Sequence, residues 1–234
     1  MRKIAIFAEG QTEQIFLRTF IPLTLSFECY QLYCDRMNEV PYKYLNTHAE
    51  VHFLIVDISN DEKVLSAVKD REQDLFRRGY EKIIALRDMY SKAYRDRAGH
   101  RIDERVSEAF IAAHQNEIQK MSYPSKIKMH FGIMEFEAWF LGMWKIFERI
   151  DPALSVAYIE ENLGFNLSLI DPQTEFFKPA DIIDNIMRLV NQRYGKSRDE
   201  VESICSNIEQ KDLGVALEQG RCRSFKGFYD EITS

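Results

Sequence analysis

Short apolar runs alternate along the chain with longer stretches whose apolar positions recur every three or four residues. The first run, residues 3–8 (KIAIFA), is apolar after Lys3 and closes at Glu9-Gly10, the pattern of a strand buried on both faces. From Gln11 to about Leu25 the period changes, and Ile15, Phe16, Thr19 and Phe20 fall on one side of a helix. Residues 27–34 read as a strand, 36–46 as an irregular polar connection, 51–58 (VHFLIVDI) as a strand and 60–78 as a charged amphipathic helix. A strand over 82–86 (KIIAL) ends at Arg87-Asp88. Residues 89–101 read as a basic loop, 102–120 as a helix, 126–133 as a strand and 135–147 as a helix. Beyond Asp151 strand signals cease. Helical patterns continue at 180–193 and 198–209, set apart by Asp171-Pro172 and Lys178-Pro179.

Strands alternating with helices predict an α/β fold, with a mostly parallel sheet, right-handed crossovers and flanking helices. The loss of strand signals predicts a division into a sheet domain over 1–150 and a helical C-terminal extension over 151–234 packed on it. A chain of 234 residues, 45% of them hydrophobic, has enough apolar material for a substantial core. No apolar run reaches the ~18–20 residues of a membrane span, and Met1-Arg2-Lys3-Ile4 leads into a strand without the layout of a signal peptide. The expectation is a soluble, cytoplasmic protein without a membrane segment.

Cys29, Cys34, Cys205 and Cys222 form no CxxC pair, and the histidines stand at no zinc-ligand spacing from them, so reduced structural thiols are expected. A net charge of -6 argues against tight nucleic-acid binding by overall charge. Local basic groups remain. Lys92, Arg95, Arg97 and Arg101 form one, and residues 221–226 (RCRSFK) another; each fits either a solvated surface or contact with a phosphate backbone. Phe136, Trp139, Phe140 and Trp144 lie on a helical stripe and read as core, not as a base-stacking platform.

In parallel α/β sheets ligands gather outside the carboxyl ends of the strands. The first strand delivers Glu9 there, with Glu13 one helical turn later. The strand at 82–86 delivers Asp88, and the strand at 126–133 leads to Glu135 and Glu137. Each acid alone has a plainer reading: Glu13 as a charge on a helix dipole, Asp88 as a turn or N-cap residue, Glu135 and Glu137 as solvated first-turn acids. Together, carboxylates from several strand ends would repel one another unless paired, and a hard divalent cation, Mg²⁺ or Mn²⁺, relieves that repulsion. Glu9, Asp88 and Glu135 or Glu137 are therefore expected to converge, on the order of 4–8 Å apart. Gly10, without a Cβ, permits a sharp turn and close approach of a phosphate.

Glu9-Gly10-Gln11-Thr12-Glu13 after an apolar strand resembles the EGxTE signature of Toprim domains in OLD-family nucleases. Asp88 stands where Toprim domains carry a DxD motif. Residues 133–141 (IMEFEAWFL) look like the ExEAWxL segment of small Toprim-like proteins often encoded beside an ABC-type ATPase, among them effectors of phage-defence systems such as PARIS. The resemblance covers about residues 2–145, with an echo in the Lys196 helix and the segment 221–225. One departure is Tyr90, which replaces the second acid of DxD and is a poor Mg²⁺ ligand.

The resemblance implies a Toprim-like fold and divalent-metal-dependent phosphodiester hydrolysis of DNA or RNA, tRNA included, by a toxic effector under the control of an ABC- or AAA-type ATPase partner. A homo-oligomer is a further expectation. Asp88 is the foremost metal ligand. Glu9 is a ligand or general base, Glu135 and Glu137 complete the coordination, and Glu13 stands at or behind a second metal position. Arg87, Lys92 and Lys178 are candidates for substrate phosphate contacts, beside Gly10. The rival readings are a non-catalytic, degenerate Toprim regulatory subunit, which Tyr90 favours, and a small-molecule phosphohydrolase.

Overall fold

The computed structural model describes residues 1–25, 30–36, 42–217 and 221–234, so Cys29 and the beginning of the strand expected at 27–34 lie outside the described residues. The chain forms two compact units that interleave along the sequence. Unit 1 comprises Met1–Arg87 and Glu104–Phe131, and unit 2 comprises Asp88–Asp103 and Gly132–Ser234. Unit 2 thus takes in 88–103 and 132–150 together with everything beyond residue 151.

Among the described residues the sheet has six strands: β1 (Arg2–Ala8), β2 (Tyr30–Arg36), β3 (Tyr42–Tyr44), β4 (Val51–Asp57), β5 (Lys82–Asp88) and β6 (Ile127–Gly132), in the order β3-β2-β4-β1-β5-β6. β1 pairs parallel with β4 and β5, and β4 parallel with β2, while β3 runs antiparallel on the edge. The α/β architecture with a mostly parallel sheet, flanking helices and C-terminal helices is therefore as expected. The short β3 falls in the connection expected to be irregular. A three-residue edge strand carries too little alternation to register as a pattern, and its pairing with β2 is what defines it.

Alternation along β1 sends Ala5 and Phe7 to one face, where they meet Val64, Val68 and Leu75 of α2 (Val64–Arg77). Ile4 and Ile6 take the other face, and α1 (Gln11–Thr24) buries Ile15, Phe16 and Phe20. Burying each such side chain contributes about 1.5–3 kcal/mol before entropy is counted. α4 (Glu104–Ile118) completes the helices of unit 1.

Unit 2 is helical, and two expectations need correction there. The basic loop at 89–101 contains a helix, α3 (Lys92–Ala98), capped by Ser91, whose Oγ accepts from Tyr94 N at 3.2 Å, and ended by Gly99 at φ +69°. Only Tyr94 and Ala98 of this helix are buried, which left no apolar stripe to read. The helix expected at 135–147 is two, α5 (Glu137–Gly142) and α6 (Lys145–Ile150). At Gly142, the last residue of α5, a Cβ would come within 2.5 Å of Cys222 Sγ, so this glycine admits the C-terminal segment. The remaining helices are α7 (Val156–Leu163), α8 (Pro172–Glu175), α9 (Pro179–Arg188), α10 (Arg198–Ser206), α11 (Gln210–Leu217) and α12 (Arg223–Thr233).

Trp139, Phe136 and Phe140 are core, as their spacing predicts. Trp139 lies 4.6 Å from Phe136, 5.2 Å from Phe225 and 5.4 Å from Phe228 between ring centroids, and its indole N–H donates to Ser224 Oγ at 2.9 Å. The basic cluster at 221–226 is structural in part. Arg221 donates to the carbonyls of Leu167 and Ser168, and Lys226 pairs with Asp230 at 2.8 Å. Cys34, Cys205 and Cys222 are buried, and burial pushes the Cys34 thiol up to about 12. Among the described residues no helix is long and apolar enough to cross a membrane.

Candidate active site: carboxylates gathered on a lysine

The acids singled out in the sequence fall into two sets, one in each unit. In unit 1, Glu9 is half-buried just past β1, where its N–H donates to Leu86 O at 3.1 Å and its carbonyl accepts from Asn60 N at 3.1 Å. Glu13 is buried, and its Oε2 accepts from Gly10 N at 3.0 Å, so it closes the first turn of α1. Asp57 is buried and its Oδ1 caps the turn at Ser59, accepting from both N–H and hydroxyl at 2.8 and 2.9 Å. Arg87 is buried as well: its guanidinium lies 5.6 Å from the Phe110 ring centroid and 3.3 Å from His114 Nε2.

In unit 2 Asp88, Glu135 and Glu137 gather on Lys196, which the resemblance placed in a helix and gave no role, and which instead stands in a left-handed turn ahead of α10. Its Nζ donates to Glu137 Oε2 at 2.9 Å and to Glu135 Oε1 at 3.3 Å, and Asp88 also acts on its charge. Glu137 is wholly buried and takes a second bond from Tyr194 OH at 2.9 Å. Glu135 Oε2 accepts from Ala180 N at 2.9 Å, at the start of α9. Asp88 Oδ1 accepts from Phe136 N at 2.6 Å.

The local backbone explains why these groups meet. Met134 has φ +60°, a left-handed turn between β6 and α5 that costs a non-glycine residue on the order of 1 kcal/mol. It is held by Tyr90 N, which donates to Met134 O at 2.6 Å, and by Met89 N, which donates to Gly132 O at 2.9 Å. Lys196 is also left-handed, at φ +62°. Glu200 Oε2 fixes that turn by accepting from Gly195 N at 2.8 Å and Ser197 N at 2.9 Å, while Tyr194 N is bound to Asp184 Oδ1 at 2.9 Å. Gly132 is required for a different reason. A Cβ there would lie 2.9 Å from Asp88 Oδ1 and from the N and Cα of Phe136. Gly132→Ala is expected to cost about 1–3 kcal/mol by forcing the backbone apart. Thermal unfolding of the variant checks this, and an unchanged midpoint would show that the Asp88–Phe136 contact yields freely.

The electrostatics are those of a shared counter-ion. Burial opposes the charge on Lys196, but Glu137, Asp88 and Glu135 outweigh it and hold the ammonium's pKa above the ordinary lysine value. Glu135 titrates high, chiefly from burial and secondarily from the neighbouring charge of Glu137, although Lys196 and Ala180 N pull it the other way. The lysine gains more from the group than Glu135 does because one ammonium serves several acids.

The donors are hard oxygens of the type Mg²⁺ or Mn²⁺ takes. Lys196 offsets part of the cluster's charge, and among the described residues no group of three or more His, Cys, Asp or Glu side chains could hold a metal ion. Lys92 is exposed at the start of α3, and Lys178 is exposed and pairs with Asp181 at 3.5 Å. The signal for Lys196 was present but faint: Ser197 and Glu200 make a capping box, which fixes the residue before it.

Fold and site together define an α/β protein with a mostly parallel sheet and a carboxylate–lysine cluster in its helical unit. The chain belongs to the family described as "Domain of unknown function (DUF4276)", whose profile matches residues 8–233. Among solved structures it is similar to the C-terminal region of the Burkholderia pseudomallei OLD protein, with 12% sequence identity, 100% of each chain covered and a TM-score of 0.49. No curated protein matches the chain.

Proposed function

We propose that the protein is a divalent-metal-dependent nuclease of Toprim type that hydrolyses phosphodiester bonds in DNA or RNA. The observation that supports this reading is the gathering of Asp88, the last residue of β5, and of Glu135 and Glu137, which follow β6, on Lys196. Carboxylates are not gathered and half-neutralised in a protein's interior without cost, so the arrangement points to a cationic or phosphoryl ligand.

In this reading Asp88, Glu135 and Glu137 would be the oxygen donors for Mg²⁺ or Mn²⁺, drawn closer together than they stand around Lys196, and the ion would supply Lewis acidity toward the scissile phosphate. Lys196, fixed by Glu137, presents N–H groups to a non-bridging phosphate oxygen and balances charge there. Tyr194 holds Glu137 in place through its hydroxyl. The resemblance of Glu9-Gly10-x-Thr12-Glu13 to the signature gives Glu9 the role of proton acceptor or metal ligand, and Glu13 shapes the turn. Lys92 and Lys178 contribute phosphate contacts. The toxic-effector role and the ATPase partner follow from the family resemblance alone.

One observation favours a second reading. Because Lys196 already pairs with Glu135 and Glu137, the cluster is satisfied without metal, as a regulatory subunit with a degenerate site would have it. Calorimetric titration with Mn²⁺ separates the two. The nuclease reading expects saturable binding that Asp88→Asn weakens at least tenfold; a folded wild-type protein that takes up no Mn²⁺ supports the regulatory one. Glu9→Ala is expected to abolish cleavage and to change the free energy of unfolding by no more than about 1 kcal/mol. Cleavage at the wild-type rate would remove Glu9 from the mechanism.

A further inference from the structure

Tyr90, which stands where a second metal-binding acid was expected, belongs to a different construction. Its ring meets Phe177 edge-to-face, with centroids 5.4 Å apart at 66°, and Phe177 meets His100 in the same manner at 6.1 Å and 81°. The Arg95 guanidinium lies 5.0 Å from the Tyr90 centroid and its Nη1 donates to the Tyr90 hydroxyl at 3.4 Å. None of the three rings is in the core. Tyr90 and Phe177 are half-buried and His100 is exposed. Edge-to-face contacts use the rim of one ring against the face of another; Arg95 lies over Tyr90, but among the described residues no cation lies over Phe177 or His100.

Two short tethers bind these rings to the carboxylate cluster within unit 2. Tyr90 is two residues from Asp88, and its N–H donates to Met134 O beside Glu135. Phe177 is three residues from Ala180, whose N–H donates to Glu135 Oε2. Each tether spans roughly 7–11 Å at full extension, about the length of one or two nucleotides. Lys92, Arg97 and Lys178 are exposed on the same two segments that carry the rings.

We propose that Tyr90, Phe177 and His100 form a stacking platform for an unpaired nucleobase beside the carboxylate cluster, and that it selects single-stranded or looped nucleic acid as the substrate class. The proposal deepens the nuclease reading and rests on it for the role of the neighbouring acids. Its physical reason is access: in a duplex the base faces are covered by their neighbours, and only an unstacked base can lie on a side-chain ring. The chain's net charge of -6 adds to it. Attraction by overall charge is unfavourable, so ring contacts add affinity to what the local basic side chains supply. Arg95 braces the Tyr90 ring, and the exposed lysines guide the backbone.

The test uses oligonucleotides carrying 2-aminopurine, whose fluorescence falls when it stacks, mixed with the full chain in the presence of EDTA so that no cleavage is needed. Single-stranded and duplex DNA and RNA form the arms. The expected result is quenching and binding with single strands at least tenfold tighter than with duplex. His100→Ala combined with Phe177→Leu, which keeps apolar bulk but removes the π faces, should weaken single-strand binding about tenfold. Phe177→Trp should preserve it, which guards against loss by misfolding. Equal binding of duplex and single strand, or unaltered quenching in the His100→Ala/Phe177→Leu variant, overturns the platform. Cleavage measured on the same samples with Mn²⁺ added keeps the two ideas apart: quenching without cleavage sinks the nuclease reading alone, and cleavage indifferent to the ring variants sinks the platform alone.

Discussion

Asp88→Asn is expected to lower metal-dependent cleavage by at least 100-fold while leaving the protein folded. Asparagine keeps the Oδ1 that accepts from Phe136 N at 2.6 Å, so the contact that seats the β6–α5 turn survives. What disappears is one negative charge at the end of β5, facing the Lys196 ammonium beside Glu135 and Glu137. Loss of one charged or dipolar partner of a phosphoryl transition state costs about 2.7–4 kcal/mol, which is a factor of 10²–10³ in rate. Initial rates with Mn²⁺ together with a circular-dichroism melt decide it. A variant that melts normally and cuts at a tenth of the wild-type rate or better shows that Asp88 is structural.

Glu137→Ala is expected to have the largest effect on stability. Its side chain is wholly buried and serves two partners, the Lys196 ammonium and the Tyr194 hydroxyl. Removing one member of a buried ion pair costs about 3–5 kcal/mol because the remaining charge is left unpaired. Lys196 retains Glu135, and its side chain is 37% exposed, so solvent screens part of the loss and a figure of about 2–3 kcal/mol is appropriate. For a chain of this length that corresponds to about 4–12 °C in melting temperature. Glu137→Gln, which still accepts from Tyr194, should recover part of it. A melting temperature for Glu137→Ala within a degree of wild type would mean that the α9–α10 connection does not depend on this carboxylate.

How much of this was legible in the sequence follows from how local each cause is. β1, α1, β4 and β5 announce themselves through runs and periods of adjacent residues, and the acids at 9, 88, 135 and 137 are visible because strands end beside them. α3 was not legible because a helix with only two buried residues leaves no stripe, although its cap, Ser91, and its stop, Gly99, were both in plain view. The need for glycine at 142 comes from Cys222, eighty residues later in the chain. Lys196 is the clearest case. Its contact with Glu137 spans 59 positions, and its direction is set by a left-handed backbone that no propensity at a lysine reveals. The interleaving of the units is of the same kind. A boundary drawn where strand signals stop follows the chain, whereas 88–103 and the residues after 132 join one unit through packing. Tyr90 was legible as a departure from the DxD pattern, but its ring partners Phe177 and His100 are remote in sequence.

The most direct measurement of the central claim is a cleavage assay with purified protein, Mg²⁺ or Mn²⁺, and end-labelled DNA, total RNA and tRNA in separate reactions, with Asp88→Asn run beside wild type. The account predicts fragments from at least one substrate, dependent on added metal, suppressed by EDTA and absent with the folded Asp88→Asn protein. Intact substrates in every wild-type reaction, with and without an ATPase partner, or equal cutting by the Asp88→Asn variant, would contradict it.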